Sequence, residues 1–172
     1  MDLFEVIHAR QSIRLYTEQP IEDEKLQRIL QAAADAPSAG NRQAYEIYLV
    51  RDLALRQELA RAAGDQEFLA QAPVVLVFCT YPARNAERYA KRGATLYAVQ
   101  DAAIACSFAM LAAAAQGLGS VWVGAFDEQE VSRILGLPPD QRPVSMLPVG
   151  YPGETPDRRA RRPVLDLVHL AG

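Results

Sequence analysis

The sequence has few of the residues that build metal centres and disulfide frameworks. Its 172 residues include 2 cysteines and 2 histidines, and Cys79 and Cys106 both lie inside apolar runs. Cysteines in such runs are usually buried as small hydrophobic side chains, and a structural zinc site needs four closely spaced ligands. We therefore expect no disulfide and no metal site.

The sequence also lacks a large excess of charge of one sign, and it lacks a long hydrophobic run. The net charge is -3 at pH 7, which gives the whole molecule no electrostatic preference for nucleic acid or an anionic membrane. The longest apolar run, residues 102–115, is shorter than the roughly 20 residues of a membrane-spanning helix. The first residues lack the basic start and apolar stretch of a signal peptide. We expect a cytoplasmic protein with no nucleic-acid or membrane partner.

Several common catalytic motifs are absent. The chain has no GxxxxGKS/T phosphate loop, no HExxH zinc pair and no GxSxG nucleophile turn. Gly117 and Gly119 follow a predicted helix and precede a predicted strand, which is the reverse of a dinucleotide-binding loop. A Rossmann dehydrogenase is therefore disfavoured, and we assign no catalytic acid, base or nucleophile.

What the sequence does contain is typical of a globular domain. Half of the residues are hydrophobic and 23% are charged. No repeat, linker or shift of composition divides the chain, so we predict a single domain over residues 1–172.

Apolar periodicity predicts helices and strands that do not alternate regularly. Helices are predicted over residues 2–9, 22–36, 53–63, 96–116 and 127–135, and strands over 45–50, 73–80, 120–126 and 144–149. The charged stretch 81–95 is predicted as an excursion from the core. This mixture favours an α+β fold, or an α/β fold with mixed strand directions, over a doubly wound parallel sheet.

Two arginine-containing segments could bind a phosphate. Arg10, Ser12 and Arg14 alternate in a segment after the first helix, so extended backbone would place all three on one side. Two guanidiniums and a hydroxyl can grip a phosphate through charge-assisted hydrogen bonds. Near the C-terminus Arg159 and Arg161 belong to a dense basic run that could complete such a site. A solvated turn and a solvated tail are the alternatives.

Two further segments could contact a flat ligand. Pro37, Ser38 and Asn41 lie in a loop whose amide and hydroxyl groups could bind the polar edge of a heterocycle, or could simply end a helix. Gly124 interrupts a strand-like run, which often marks close approach to the backbone. We expect Trp122, in the same run, to lie in the core.

Taken in order, these segments resemble the FMN-dependent nitroreductase family over nearly the whole chain. The resemblance rests on RxSxR at residues 10–14, APSxxNxQ at 36–43, GLGSxWxG at 117–124, GYPGE at 150–154 and the Arg-x-Pro tail. Where many members have Pro and an aromatic residue after the loop Gln, this chain has Ala44 and Tyr45, and Phe68 replaces a Lys of some members.

The resemblance implies a nitroreductase-like three-layer α+β fold, with a central, mostly antiparallel sheet, in an intertwined homodimer that binds FMN at the subunit interface. Arg10, Ser12 and Arg14 would contact the FMN phosphate and the ribityl-isoalloxazine edge. Arg161, with Arg159, would close the phosphate site. The implied flavin-flanking residues are Pro37, Ser38 and Asn41 from the other protomer, Val123 and Gly124 near flavin N5, and Gln66 near the pyrimidine edge.

The implied activity is hydride transfer from NADH or NADPH to flavin N5 and on to a small oxidised acceptor, such as a nitroaromatic or quinone, by a ping-pong mechanism. Arg14 and the Gly124 N–H would stabilise the reduced flavin, and Tyr89 and Tyr97 are candidate substrate-pocket residues. Alternatives on the same scaffold are ene reduction, dehalogenation, oxidative dehydrogenation or flavin breakdown. A non-catalytic FMN carrier or sensor is a further alternative.

Overall fold

The computed structural model describes residues 2–171, which form seven helices and four strands. The helices are α1 (Leu3–Ala9), α2 (Asp23–Ala34), α3 (Leu53–Ala62), α4 (Phe68–Gln71), α5 (Pro82–Arg92), α6 (Ala98–Ala115) and α7 (Glu128–Leu135). The strands are β1 (Tyr45–Val50), β2 (Val74–Thr80), β3 (Gly119–Ser120) and β4 (Pro143–Gly150). Short 3-10 turns lie at Ala39–Asn41 and Val164–Asp166.

The strands form one antiparallel sheet in the order β1-β2-β4-β3. β2 pairs with β1 on one side, with Tyr45 opposite Thr80, and with β4 on the other, with Val74 opposite Val149. All of β2 is buried. The apolar run 73–80 predicted such a strand, covered on both faces.

Helices cover both faces of this sheet. Along β2, Leu76 and Phe78 pack in a cluster with α2 and α6, whereas Val75 and Val77 pack in a second cluster with α3, α4 and α7. This division follows from the alternation of side chains along a strand. The three-layer α+β fold with an antiparallel sheet is therefore confirmed.

The alanine-rich helix α6 lies directly on the sheet. Ala102, Ala105 and Ala109 are completely buried there, because side chains this small allow helix and sheet to approach closely. One helical stretch, Pro82–Ala115, is long and apolar enough to cross a membrane by length and composition, with a mean hydropathy of 1.6 in an 18-residue window. In this fold it contributes α6 to the core.

Residues 81–95 form α5 and the start of a π turn, and all of them except Asn85 and Gly93 are exposed or half-buried. The helix begins at Pro82, which suits a first turn because proline has no N–H to leave unpaired. Its Asn85 is completely buried. Gly93, in the turn Gly93–Tyr97 that leads into α6, packs so closely on the Asn85 carbonyl group that a Cβ would clash with it.

The region after α6 is less regular than predicted. Of the predicted strand 120–126, only Ser120 belongs to a strand, β3 (Gly119–Ser120), and Val123 adds an isolated bridge to Met146. Trp122 is 37% exposed rather than in the core, because the short strand leaves its side chain outside the sheet layers. Asp127 caps α7, and its side chain accepts from the N–H groups of Gln129 and Glu130.

Candidate functional site

The segment Arg10–Arg14 runs beside β3 in extended form. Ile13 N–H donates to the Ser120 carbonyl oxygen at 3.1 Å, and Ser12 forms a parallel bridge with Ser120. Ile13 packs on Gly119, where a Cβ would lie 2.8 Å from the Ile13 side chain. Because side chains alternate in extended backbone, burial of Ile13 directs Ser12 and Arg14 to the opposite side.

The GYPGE stretch continues along the same segment. Gly153 N–H donates to the Leu15 carbonyl oxygen at 2.8 Å, and Thr17 N–H donates to the Tyr151 carbonyl oxygen at 2.9 Å. Arg14 N–H donates to Glu154 Oε1 at 2.5 Å. The backbone of residues 10–17 is therefore held by hydrogen bonds to Ser120 of β3 and to the GYPGE stretch.

A cleft of about 830 Å³ opens beside this segment, which is within the size range of small-molecule and cofactor sites. Its walls are α1, the segment Arg10–Arg14 and the C-terminal tail. It brings together five of the predicted site residues, namely Arg10, Ser12, Arg14, Arg159 and Arg161. Two arginine-rich segments from opposite ends of the sequence therefore meet in one place.

Positive charge predominates in this cleft, which is lined by five arginines and one carboxylate, that of Asp157. Burial and the nearby Arg161 guanidinium lower the pKa of Arg10. Among the ion pairs within residues 2–171, none involves Arg10 or Arg161. Arginine does not lose its proton in proteins, so the lowered pKa reflects a charged guanidinium that is partly buried and, to a smaller extent, repelled by Arg161, and a bound anion would stabilise it. The donor set fits a phosphate group.

The loop of residues 36–44 lies apart from this cleft within one protomer. Pro37, Ser38 and Asn41 are not among the residues that line it. The loop is tightly folded: Ser38 Oγ accepts a hydrogen bond from Gln43 N–H at 2.9 Å. Asn41 and Gln43 both have positive φ, 58° and 49°.

Sequence reasoning missed Asp101, the residue that holds this loop. Asp101 is 2% exposed, and its carboxylate accepts from Ala39 N–H at 2.9 Å, Ala44 N–H at 3.3 Å and Asn85 Nδ2 at 2.9 Å. It is the one charged residue of α6. A lone carboxylate in an otherwise apolar helix was the signal that could have identified it.

The remaining predicted residues also lie outside the cleft. Val123 N–H already donates to the Met146 carbonyl oxygen at 2.9 Å, whereas Gly124 N–H has no backbone acceptor within residues 2–171. Gly124 is also exposed, so of the two it is Gly124 that offers a donor to a ligand. The Gln66 side chain donates to the Ala63 carbonyl oxygen at 2.8 Å within the same chain.

The two tyrosines near α5 pack on each other and on the loop. The rings of Tyr89 and Tyr97 meet edge to face with centroids 5.2 Å apart. A Cβ at Gly40 would lie 2.5 Å from the Tyr89 hydroxyl oxygen. Tyr89 therefore lies against the loop that carries Ser38 and Asn41, and Tyr97 packs on Tyr89.

Comparison with known proteins gives one consistent family. The nitroreductase family matches residues 7–66 and 61–151. The NADPH-flavin oxidoreductase of Vibrio harveyi is 35% identical, over 96% of this chain and 72% of that protein. An FMN reductase (NAD(P)H) of Bacillus subtilis is 35% identical, over 90% of this chain and 66% of that protein.

Solved structures agree with the sequence comparison. The NADPH:FMN oxidoreductase from Vibrio harveyi, complexed with NAD+, matches with a TM-score of 0.90 and 34% identity, covering 98% of this chain and 76% of that chain. The fold that carries the arginine cleft is therefore shared with this flavin oxidoreductase. The chain belongs to the nitroreductase family.

Proposed function

We propose that the protein is an FMN-dependent oxidoreductase that uses NADH or NADPH to reduce a small oxidised acceptor, such as a nitroaromatic or a quinone. The observation that carries this proposal is the cleft of about 830 Å³ in which Arg10, Arg14 and Arg161 come together. The names of the Vibrio harveyi and Bacillus subtilis relatives, a flavin oxidoreductase and an FMN reductase, support the same chemistry.

Different residues of the cleft bind different parts of FMN. Arg10 and Arg161 bind the phosphate, because two neighbouring guanidiniums supply both charge and several donors. Ser12 and Arg14, next along the extended segment, contact the ribityl chain and the isoalloxazine edge, and Arg159 adds positive charge at the phosphate end. When bound, FMN supplies the hydride chemistry between the nicotinamide and the acceptor.

The other half of the site comes from elements outside the cleft. Pro37, Ser38 and Asn41 flank the flavin from the partner protomer, and the exposed Gly124 N–H donates at N5. Gln66 contributes at the pyrimidine edge by exchanging its bond to Ala63 for one to the flavin. No residue is assigned as a proton donor. We expect ping-pong kinetics, because the nicotinamide and the acceptor would occupy the same site in turn.

In a homodimer, the partner protomer provides the loop residues of each FMN site. The C-terminal tail exposes a run of apolar side chains, with Val164 71%, Leu165 86% and Leu170 99% exposed. In α1, Phe4 is 79% exposed. Apolar surface of this extent usually marks an interface, so the apolar end of the tail, beyond the arginines that line the cleft of their own protomer, packs on the partner. We place this single-domain enzyme in the cytoplasm, where NADH and NADPH are available.

The visible spectrum of the purified protein tests the proposal. After FMN addition and desalting we expect flavin bands to remain, and to bleach on anaerobic addition of NADH or NADPH. Retained bands that neither nucleotide bleaches would contradict the oxidoreductase and favour a carrier. Loss of the bands on desalting would contradict the FMN site itself.

The double variant Arg10→Ala with Arg161→Ala tests the phosphate assignment. Each hydrogen bond to a charged group contributes about 1.5–3 kcal/mol, so FMN affinity should fall by about 100-fold or more. The matched control is Arg51→Ala with Arg142→Ala, two arginines in surface ion pairs with Asp23 and Glu128. The control should keep its FMN, and full retention by the first variant would exclude these arginines as phosphate ligands.

A further inference from the structure

Asp101 binds both ends of the most tightly folded part of the loop. Its Oδ1 accepts from Ala39 N–H at 2.9 Å and its Oδ2 accepts from Ala44 N–H at 3.3 Å. These two residues bracket positions 40–43. One buried carboxylate on α6 therefore fixes the start and the end of this four-residue run.

The bracketed run holds an unfavourable backbone conformation. Gly40, Asn41 and Gln43 have φ of 55°, 58° and 49°. Glycine adopts this region freely and asparagine tolerates it, but for glutamine it is strained. Such strain persists only where the surroundings hold the backbone in place. Asp101 restrains the loop from helix α6, and the hydrogen bond from Gln43 N–H to Ser38 Oγ restrains it within the loop.

We propose that Asp101 is a positioning residue of the cofactor site. Its carboxylate holds residues 36–44 in the conformation that presents Pro37, Ser38 and Asn41 to the flavin. The proposal rests on the function proposed above. It adds a residue that does not touch the cofactor yet determines how tightly the cofactor binds.

A purely structural role is the competing explanation. Asp101 Oδ2 also accepts from Asn85 Nδ2 at 2.9 Å, which links α6 to α5. Asn85 Oδ1 is buried without a hydrogen-bond partner in the described part of the chain. If this link between helices were the purpose of Asp101, an exchange of the two side chains would preserve it.

Titration of the FMN-free protein with FMN tests the proposal through Asp101→Asn. This change keeps the side-chain shape but replaces one acceptor with a donor, so one N–H of the loop loses its partner. We expect FMN affinity to fall by about tenfold or more, equivalent to about 1.4 kcal/mol. The control Asp140→Asn makes the same chemical change at an exposed position and should bind FMN as the wild type does.

The combined exchange Asn85→Asp with Asp101→Asn separates the two roles. It retains a carboxylate–amide pair between α5 and α6 but keeps the acceptor away from Ala44 N–H. We expect this exchange to recover the thermal stability that Asp101→Asn alone loses, while its FMN affinity stays as low as that of Asp101→Asn. This variant carries the test if Asp101→Asn alone does not fold.

Two outcomes would overturn the inference without touching the proposed function. One is wild-type FMN affinity in a folded Asp101→Asn variant, and the other is recovery of both stability and FMN affinity in the exchange. If the wild-type protein itself failed to bind FMN, the proposed function would be wrong, and the inference with it.

Discussion

The two cysteine thiols lie on opposite faces of the sheet, Cys79 facing α3 and α7, and Cys106 facing β2 from α6. Both are completely buried. Burial raises the pKa of each thiol to about 12, because the thiolate would lose its hydration. Neither is therefore a nucleophile at neutral pH, and any activity should resist thiol reagents in the folded protein.

These thiols should make stability fall at alkaline pH. In the unfolded chain a cysteine ionises near pH 8.5, so above that pH the unfolded state releases protons that the folded state keeps. The free energy of unfolding should then decrease with rising pH up to about pH 12, by at most about 1.4 kcal/mol per pH unit for each thiol.

Denaturant unfolding at pH 8 and pH 10 measures this effect. The comparison is with the variant Cys79→Ala with Cys106→Ala, which should show a shallower pH dependence whatever its absolute stability. Tyr16, whose pKa is also raised by burial, contributes equally to both proteins. The same pH dependence in both would contradict the assignment.

Among the elements, α7 depends most directly on one side chain. Asp127 Oδ1 accepts from Gln129 N–H at 2.9 Å and Glu130 N–H at 3.0 Å, and the helix buries Val131 in the core. Asp127→Ala should cost about 1 kcal/mol and lower the Tm by roughly 2–4 °C. Asp127→Asn keeps an oxygen acceptor and should lose less; an equal loss in both variants would argue against the cap. Differential scanning calorimetry is sufficient.

The elements also differ in how well their sequences predicted them. β1 and the helix after Asp127 match their predicted residues, because their apolar spacing and capping residue are local signals. α5 had a weaker signal: its less polar residues are mostly alanines, and its buried positions are Asn85 and, just beyond, Gly93. Its place is determined by contacts with Asp101 and the loop, residues distant in sequence.

At the scale of the whole molecule, the proposed site needs two protomers. In the proposed arrangement one protomer would contribute Arg10 and Arg161, and the other would contribute Ser38 and Asn41. In a symmetric dimer these contributions are reciprocal, so damage to the two halves can be separated by mixing protomers.

Heterodimers isolated through two different affinity tags provide the test. One protomer carries Arg10→Ala and Arg161→Ala, and the other carries Ser38→Ala and Asn41→Ala. Each parent homodimer should lose FMN, whereas the heterodimer should contain one fully wild-type site and retain about half the FMN of the wild-type dimer. If each site were built within one protomer, the heterodimer would retain no more FMN than its parents.

The sequence by itself determined the family, the sheet strands with continuous apolar character and the arginine segments of the cleft. It could do so because glycine, proline, capping residues and apolar periodicity act over a few neighbouring positions. Only the tertiary structure decided that Arg10 meets Arg161, that α5 packs on the loop of residues 36–44 and that Asp101 holds this loop. These depend on which distant surfaces the sheet brings together, and a buried carboxylate gains its role only from the N–H groups that the fold places around it.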